Sequence, residues 1–329
     1  MPHASADEIH AALAAVTRAA SVCQSVHRSL VTQDTITKKD KSPVTVADFA
    51  SQAIVSITLR DALGAIQLVG EEDAADLRGD DAAATLDKVA AHVGDGLDRA
   101  ASPDEVLDAI DAGAVDPDPP TGRFWTIDPI DGTKGFLRGD QYAVALGLIE
   151  DGKPILGVLG CPNLEVSGRK GLLMGAVDGQ GTTFSPLDGS VDLTPAHVDP
   201  VDSPAGGRFC ESVESGHSDQ GSSAKIAELL GITEPPYRID SQCKYAAVAK
   251  GDATIYLRLP TRPGYVEKIW DHAAGAACVT CAGGTVTDIE GKPLDFTQGR
   301  TLQSNRGIIA TNGKFHDRVV SAVQQVLNG

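Results

Sequence analysis

The chain has 329 residues, 42% of them hydrophobic and 22% charged, which allows one large or two moderate globular cores. Its formal net charge is −17, and so acidic a surface repels polyanions, which argues against nucleic acid and anionic membranes as partners. A small anionic substrate would need a local cluster of cations or metal ions.

The elements follow in chain order. The N-terminus lacks the apolar core of a signal peptide, which points to an intracellular, cytoplasmic protein. From Asp7 to Leu30, apolar residues recur at helical spacing and predict an amphipathic helix. Ser42-Pro43-Val44 leads into a second helix from Thr45 to about Leu63, and Ile66 to Gly70 predicts a short strand ending at Glu71-Glu72. From Asp73 to Gly122 the composition turns to Ala and Asp and reads as an acidic surface insertion with one or two short helices, with no chemistry assigned. A strand is predicted at Arg123 to Ile127. The longest apolar stretch, Tyr142 to Gly160, is cut by Glu150-Asp151-Gly152-Lys153-Pro154, the mark of a hairpin and too short a run on either side to span a membrane. Gly179 to Pro204 reads as loops. Beyond it, strands are predicted at Arg208–Cys210, Thr254–Leu259 and Gly307–Thr311, and helices at Ser222–Leu230, Ser241–Lys250, Asp271–Ala282 and Lys314–Leu327. The first part, 1–204, reads as an α+β domain and the second, 205–329, as α/β.

Six scattered cysteines make no disulfide framework. Cys278 and Cys281 form a C-x-x-C, but a zinc site needs two further ligands and none is evident at a suitable spacing. Core thiols in a helix are the simpler reading.

The most informative string is Trp125-Thr126-Ile127-Asp128-Pro129-Ile130-Asp131-Gly132-Thr133. It reads as a strand ending at Asp128 and a turn stiffened by Pro129. Two carboxylates so placed repel by roughly 4 kcal/mol at ~4 Å and an effective dielectric near 20, unless a divalent cation lies between them. Gly132 and Thr133 open a segment whose backbone N–H groups suit a phosphate. Asp, Pro and Gly also make ordinary turns, so it is the whole string that carries the signal. Glu71 at a strand end is a third acidic candidate. Taken alone, Asp271 reads as a helix N-cap and Asp48 as part of a capping box opened by Thr45.

Asp128 to Thr133, together with Trp270-Asp271-His272-Ala273-Ala274-Gly275, resembles the paired signatures of the lithium-sensitive, magnesium-dependent phosphatases. The superfamily includes inositol monophosphatases, fructose-bisphosphatases and bisphosphate nucleotidases. Longer matches look closest to the 3'(2'),5'-bisphosphate nucleotidases of fungi and plants, among them Lys41-Ser42-Pro43-Val44-Thr45, Thr133-Lys134-Gly135-Phe136-Leu137-Arg138-Gly139, Asp240-Ser241-Gln242 and Tyr256-Leu257-Arg258-Leu259-Pro260. The resemblance implies a layered α/β/α/β/α sandwich. It implies one magnesium on Glu71, Asp128 and the Ile130 carbonyl, a second on Asp128, Asp131 and Asp271, and in some relatives a third near Glu71. Asp48 and Thr133 would activate the attacking water. His217, Ser241, Lys244 and Arg258 would hold a nucleotide, with Thr133 and Asp271 also touching it. The implied reaction is hydrolysis of adenosine 3',5'-bisphosphate, and of its sulfated form, within sulfate assimilation. Alternatives are an inositol phosphate phosphatase on the same metal site and a non-catalytic nucleotide or metal sensor. Protein partners are not legible in the sequence.

Overall fold

A capping box opens the first helix, α1 (Ala6–Thr32): Ser5 Oγ accepts from the Glu8 N–H, and Glu8 Oε2 accepts from the Ser5 N–H. Glu8 also meets Arg123 at 2.8 Å, pinning the helix to the first sheet. The structure is a computed structural model that describes residues 3–32, 42–79, 81–114, 122–166, 168–189, 193–213, 220–260, 262 and 264–328. The second helix, α2 (Ser42–Leu63), packs along α1. It begins earlier than its predicted start, so Asp48 lies in its second turn, nearly buried, and forms no capping box.

The first sheet has seven strands in sequential order: β1 (Leu68–Gly70), β2 (Arg123–Asp131), β3 (Ala143–Glu150), β4 (Lys153–Val166), β5 (Arg169–Val177), β6 (Gly181–Pro186) and β7 (Thr194–Ala196). Among the described residues, the β1–β2 pair is the parallel one and the sheet's other pairs are antiparallel. The β3–β4 hairpin turns on Asp151 and Gly152, both with positive φ, as a two-residue turn requires. Strands β6 and β7 correct the expectation of loops across 179–204. The expected short helices of the 73–122 segment are α3 (Ala83–Leu97) and α4 (Pro103–Asp111), but its surface character is corrected: they bury Val89, Val93, Val106 and Ile110 in one core with α1 and α2.

The second sheet is ordered β11-β12-β10-β8-β9. Its strands are β8 (Phe209–Glu211), β9 (Tyr237–Arg238), β10 (Ile255–Arg258), β11 (Thr285–Thr287) and β12 (Ile308–Thr311). Helices α7 (Cys243–Ala249) and α8 (Ala273–Cys281) lie between the sheets, and α6 (Gln220–Leu230) and α9 (His316–Asn328) cover the far side. Five layers result, α/β/α/β/α. Small residues let the middle close up: a Cβ on Gly157 of β4 would stand 2.5 Å from the Ala274 carbonyl of α8. All six cysteines are free, five of them buried, and burial pushes the Cys281 thiol up to about 11. No helix among the described residues is long and apolar enough to cross a membrane.

Candidate active site

The expected turn after Asp128 is instead a bulge in a continuing strand. Asp128 pairs with Ala145 and Asp131 with Ala143, so three steps along β2 match two along β3. In a regular strand, residues three apart face opposite sides; the extra residue turns Asp131 to the side of Asp128. Ser51 of α2 holds the bulge by donating to the Pro129 carbonyl at 2.9 Å. Glu71 directly follows β1, which runs parallel to β2, so its carboxyl arrives within electrostatic reach of Asp128.

Asp271 supplies the fourth carboxylate from the opposite half of the sandwich. It does not cap α8, whose N-cap position is His272 with no side-chain cap bond. The crowding raises the pKa of Glu71, Asp128 and Asp131, and of Asp48 beside them. Burial, then Asp271 and Glu72, pushes Glu71 up to about 7. Burial and Asp271 bring Asp131 to about 6, with Lys244 and Arg258 partly offsetting them. Burial, then Glu71 and Asp131, raises Asp128, and burial with Glu72 and Glu71 raises Asp48.

This donor set suits a hard cation. Asp128 Oδ1 is buried and accepts no hydrogen bond among the described residues, a costly state for a carboxylate without a counter-charge. Carboxylates and a backbone carbonyl are the ligands magnesium takes. A second acidic group, Glu267 with Asp271 and His272, fits a cation less well, because Glu267 Oε2 already accepts from Arg258 Nε at 2.8 Å and His272 Nε2 at 3.1 Å.

Beside the carboxylates opens a cleft of about 430 Å³ whose lining includes Asp131, Thr133, Ser241, Lys244, Arg258 and Asp271. Gly132, at φ 94°, lets the chain leave β2 into α5 (Thr133–Arg138), and a Cβ there would meet Ser241 at 2.9 Å. Ser241 itself sits at φ 64°, a strained conformation typical of functional sites. Lys244 is buried, 5.2 Å above the Tyr256 ring, and burial lowers its pKa while Asp131 acts to raise it.

Thr133 and Asp48 are not joined: among the described residues no hydrogen bond links them, and Thr133 is exposed. His217 lies outside the described residues. Sequence reasoning gave no role to Gln242, whose N–H donates to Asp131 Oδ2 while its Nε2 donates to the Trp270 carbonyl at 2.9 Å. Nor did it give one to Glu267, the partner of Arg258, or to Gln52, which bonds both backbone groups of Glu72. Gln242 does stand within the recognisable string Asp240-Ser241-Gln242, and that adjacency is the available signal.

The profile of the inositol monophosphatase family matches residues 5–328. The chain belongs to that family. Its enzymes are metal-dependent, in keeping with the carboxylate quartet. A curated relative from Schizosaccharomyces pombe, named 3'(2'),5'-bisphosphate nucleotidase, is 43% identical over 96% of this chain and 94% of its own. One from Arabidopsis thaliana, 3'(2'),5'-bisphosphate nucleotidase 1, is 47% identical over 96% and 95%. Among solved structures, an inositol monophosphatase from Anabaena aligns with a TM-score of 0.62 at 21% identity, over 96% of this chain and 95% of that one. A second, from Zymomonas mobilis, gives 0.64 at 19% identity over 98% and 100%. These structural likenesses establish the shared five-layer fold.

Proposed function

We propose that the chain is a magnesium-dependent phosphatase that removes the 3'-phosphate of adenosine 3',5'-bisphosphate, yielding AMP and phosphate. The observation that carries this reading is a cleft that brings acidic and basic groups together: Asp131 and Asp271 line it with Lys244 and Arg258. A monophosphate ester calls only for the carboxylates and their metal. Two added cations in an otherwise acidic protein suit a second phosphate. The relatives named as bisphosphate nucleotidases support the same substrate, and the sulfated nucleotide is a second expected substrate.

Glu71, Asp128 and the Ile130 carbonyl would hold one ion, and Asp128, Asp131 and Asp271 another. When bound, such ions lower the pKa of water and offset charge on a departing oxygen. The protein's own groups do the rest. Lys244 and Arg258 orient the nucleotide through its other phosphate, and Ser241 lines the same cleft. Asp48, held by burial and Glu72 with a raised pKa, would be the proton acceptor for Thr133 once substrate brings the two together. Catalytic hydrogen bonds are often loose without substrate, which accommodates the present separation of Thr133 and Asp48. Lithium is expected to inhibit by competing at a magnesium position.

The test is phosphate release from adenosine 3',5'-bisphosphate and inositol 1-phosphate side by side, with magnesium and then with chelator. Fast, chelator-sensitive release from the nucleotide alone supports the reading. Preference for the inositol ester would keep the metal site and overturn the roles of Lys244 and Arg258. No release from either would favour a sensor.

A further inference from the structure

Arg300 belongs to none of the groups assigned above, yet it reaches the acidic cluster from near the end of the chain. Its Nη2 donates to the Gly70 carbonyl at 2.6 Å and its Nη1 to the Gly113 carbonyl at 3.1 Å. The Gly70 carbonyl shares a planar peptide group with the nitrogen of Glu71, so a bond to it fixes the plane from which the Glu71 side chain departs. Gly113 follows α4, and its carbonyl also accepts from the Gly70 N–H at 2.9 Å. The segment once read as a surface insertion thus braces the end of β1.

At its other end Arg300 is anchored on the segment that carries Asp271. Its own carbonyl accepts from the Ile269 N–H at 3.2 Å, and Thr301 bridges Lys268. Its guanidinium carbon stands 4.7 Å from the centre of the Trp270 ring, next to Asp271. Among the described residues Arg300 forms no ion pair. Its bonds go to carbonyls and carry direction more than charge, and a planar fork can hold two carbonyls at once where an ammonium is a point charge.

We propose that Arg300 is a positioning residue that sets Glu71 against Asp271 across the cleft, with Gly113 as its second anchor. The inference rests on the reading of these carboxylates as metal ligands. It predicts that metal affinity depends on the fork of Arg300 and not on its charge.

The test is manganese binding to the metal-free protein, followed by the loss of the free-ion paramagnetic resonance signal, for the unaltered chain, R300A and R300K. Melting temperatures are recorded alongside. Both variants are expected to bind manganese on the order of tenfold or more weakly, as when other outer-shell partners of metal ligands are removed. Half-saturating magnesium for phosphate release should rise in step, while KM for the nucleotide at saturating magnesium stays as it was. A merely structural role would lower the melting temperature and leave manganese affinity unchanged, and that result overturns the proposal. Wild-type affinity in R300K would also overturn it, because charge alone would then suffice. R300K keeps the stem on Trp270 and decides the question if R300A does not fold. If the unaltered chain binds no manganese, the metal assignment fails and this inference with it. If it binds manganese but releases no phosphate, only the substrate reading fails.

Discussion

Arg258 Nη2 lies 3.1 Å from Asp271 Oδ2, so the cation proposed to read a phosphate is paired with the carboxylate proposed to hold a metal. The same guanidinium is held from behind by Glu267 at 2.8 Å. Glu267 in turn accepts from His272 Nε2, and His272 Nδ1 faces the Tyr245 hydroxyl at 2.8 Å. Burial works to raise the pKa of Glu267, but His272 and Arg258 outweigh it and keep the carboxylate charged. Arg258→Ala is therefore expected to act twice. The kcat/KM for the bisphosphate should fall by about 10- to 100-fold, the worth of a charge-assisted hydrogen bond. Glu267 would keep His272 as its partner but lose a cation, so the melting temperature should also drop. Steady-state kinetics on the bisphosphate and on adenosine 3'-monophosphate, with a thermal melt, check both effects. Unchanged KM for the bisphosphate would remove Arg258 from the substrate site.

Asp131→Asn separates charge from shape. The amide oxygen can still accept from the Gln242 N–H, so the junction between β2 and α7 should survive. What is lost is the negative charge opposite Asp271. Turnover at ordinary magnesium should fall on the order of a thousandfold, equivalent to about 4 kcal/mol of transition-state stabilisation. Near-normal turnover at saturating magnesium would take Asp131 out of the metal site.

These contacts also show what could be read from the chain. The helical spacing that predicts α1 and the interruption that marks the β3–β4 hairpin are local patterns, and local physics decides them. The Asp128 to Thr133 string was legible for its density of carboxylates, but its bulge was not, because register depends on Ala143 and Ala145 across the strand pair. Strands β6 and β7 hid behind Gly, Thr, Ser and Pro. The poor strand propensity of their Gly and Pro was overridden by pairing, of β6 with β5 and of β7 with β6. Asp48 looked like a cap because Thr45 precedes it at the right distance, yet the helix starts at Ser42. Gln242 to Asp131 and Arg300 to Gly70 span 111 and 230 residues, and no window of sequence contains either pair.

Lys244→Ala tests which phosphate is read. The ammonium is buried within electrostatic reach of Asp131 and lines the cleft with Arg258. Its loss should raise KM for adenosine 3',5'-bisphosphate by roughly 10- to 100-fold and change KM for the 3'-monophosphate far less. Equal losses on the two substrates would mean that Lys244 serves the reacting phosphate or the fold, and the basis for a bisphosphate substrate would be gone.

The buried carboxyls with raised pKa also set how the metal-free protein responds to pH. Asp131 and Glu71 are raised to about 6 and about 7, and Asp128 and Asp48 are raised as well, by burial first and by one another second. A carboxyl whose pKa is higher folded than unfolded binds its proton more tightly in the native state. The stability it contributes is complete below about pH 4 and is lost as the pH rises through its folded value. Without metal, the melting temperature should therefore fall between pH 5 and pH 8, by roughly 5 °C. On the proposed assignment magnesium would bind the deprotonated carboxylates, so its addition should restore more stability at pH 8 than at pH 5. The general repulsion of a chain with net charge −17 would give a similar slope without metal. Glu71→Gln distinguishes the two causes: it barely alters the overall charge but should flatten the metal-free profile and reduce the magnesium effect at pH 8. An unchanged slope in that variant would assign the pH response to the surface and not to the cleft.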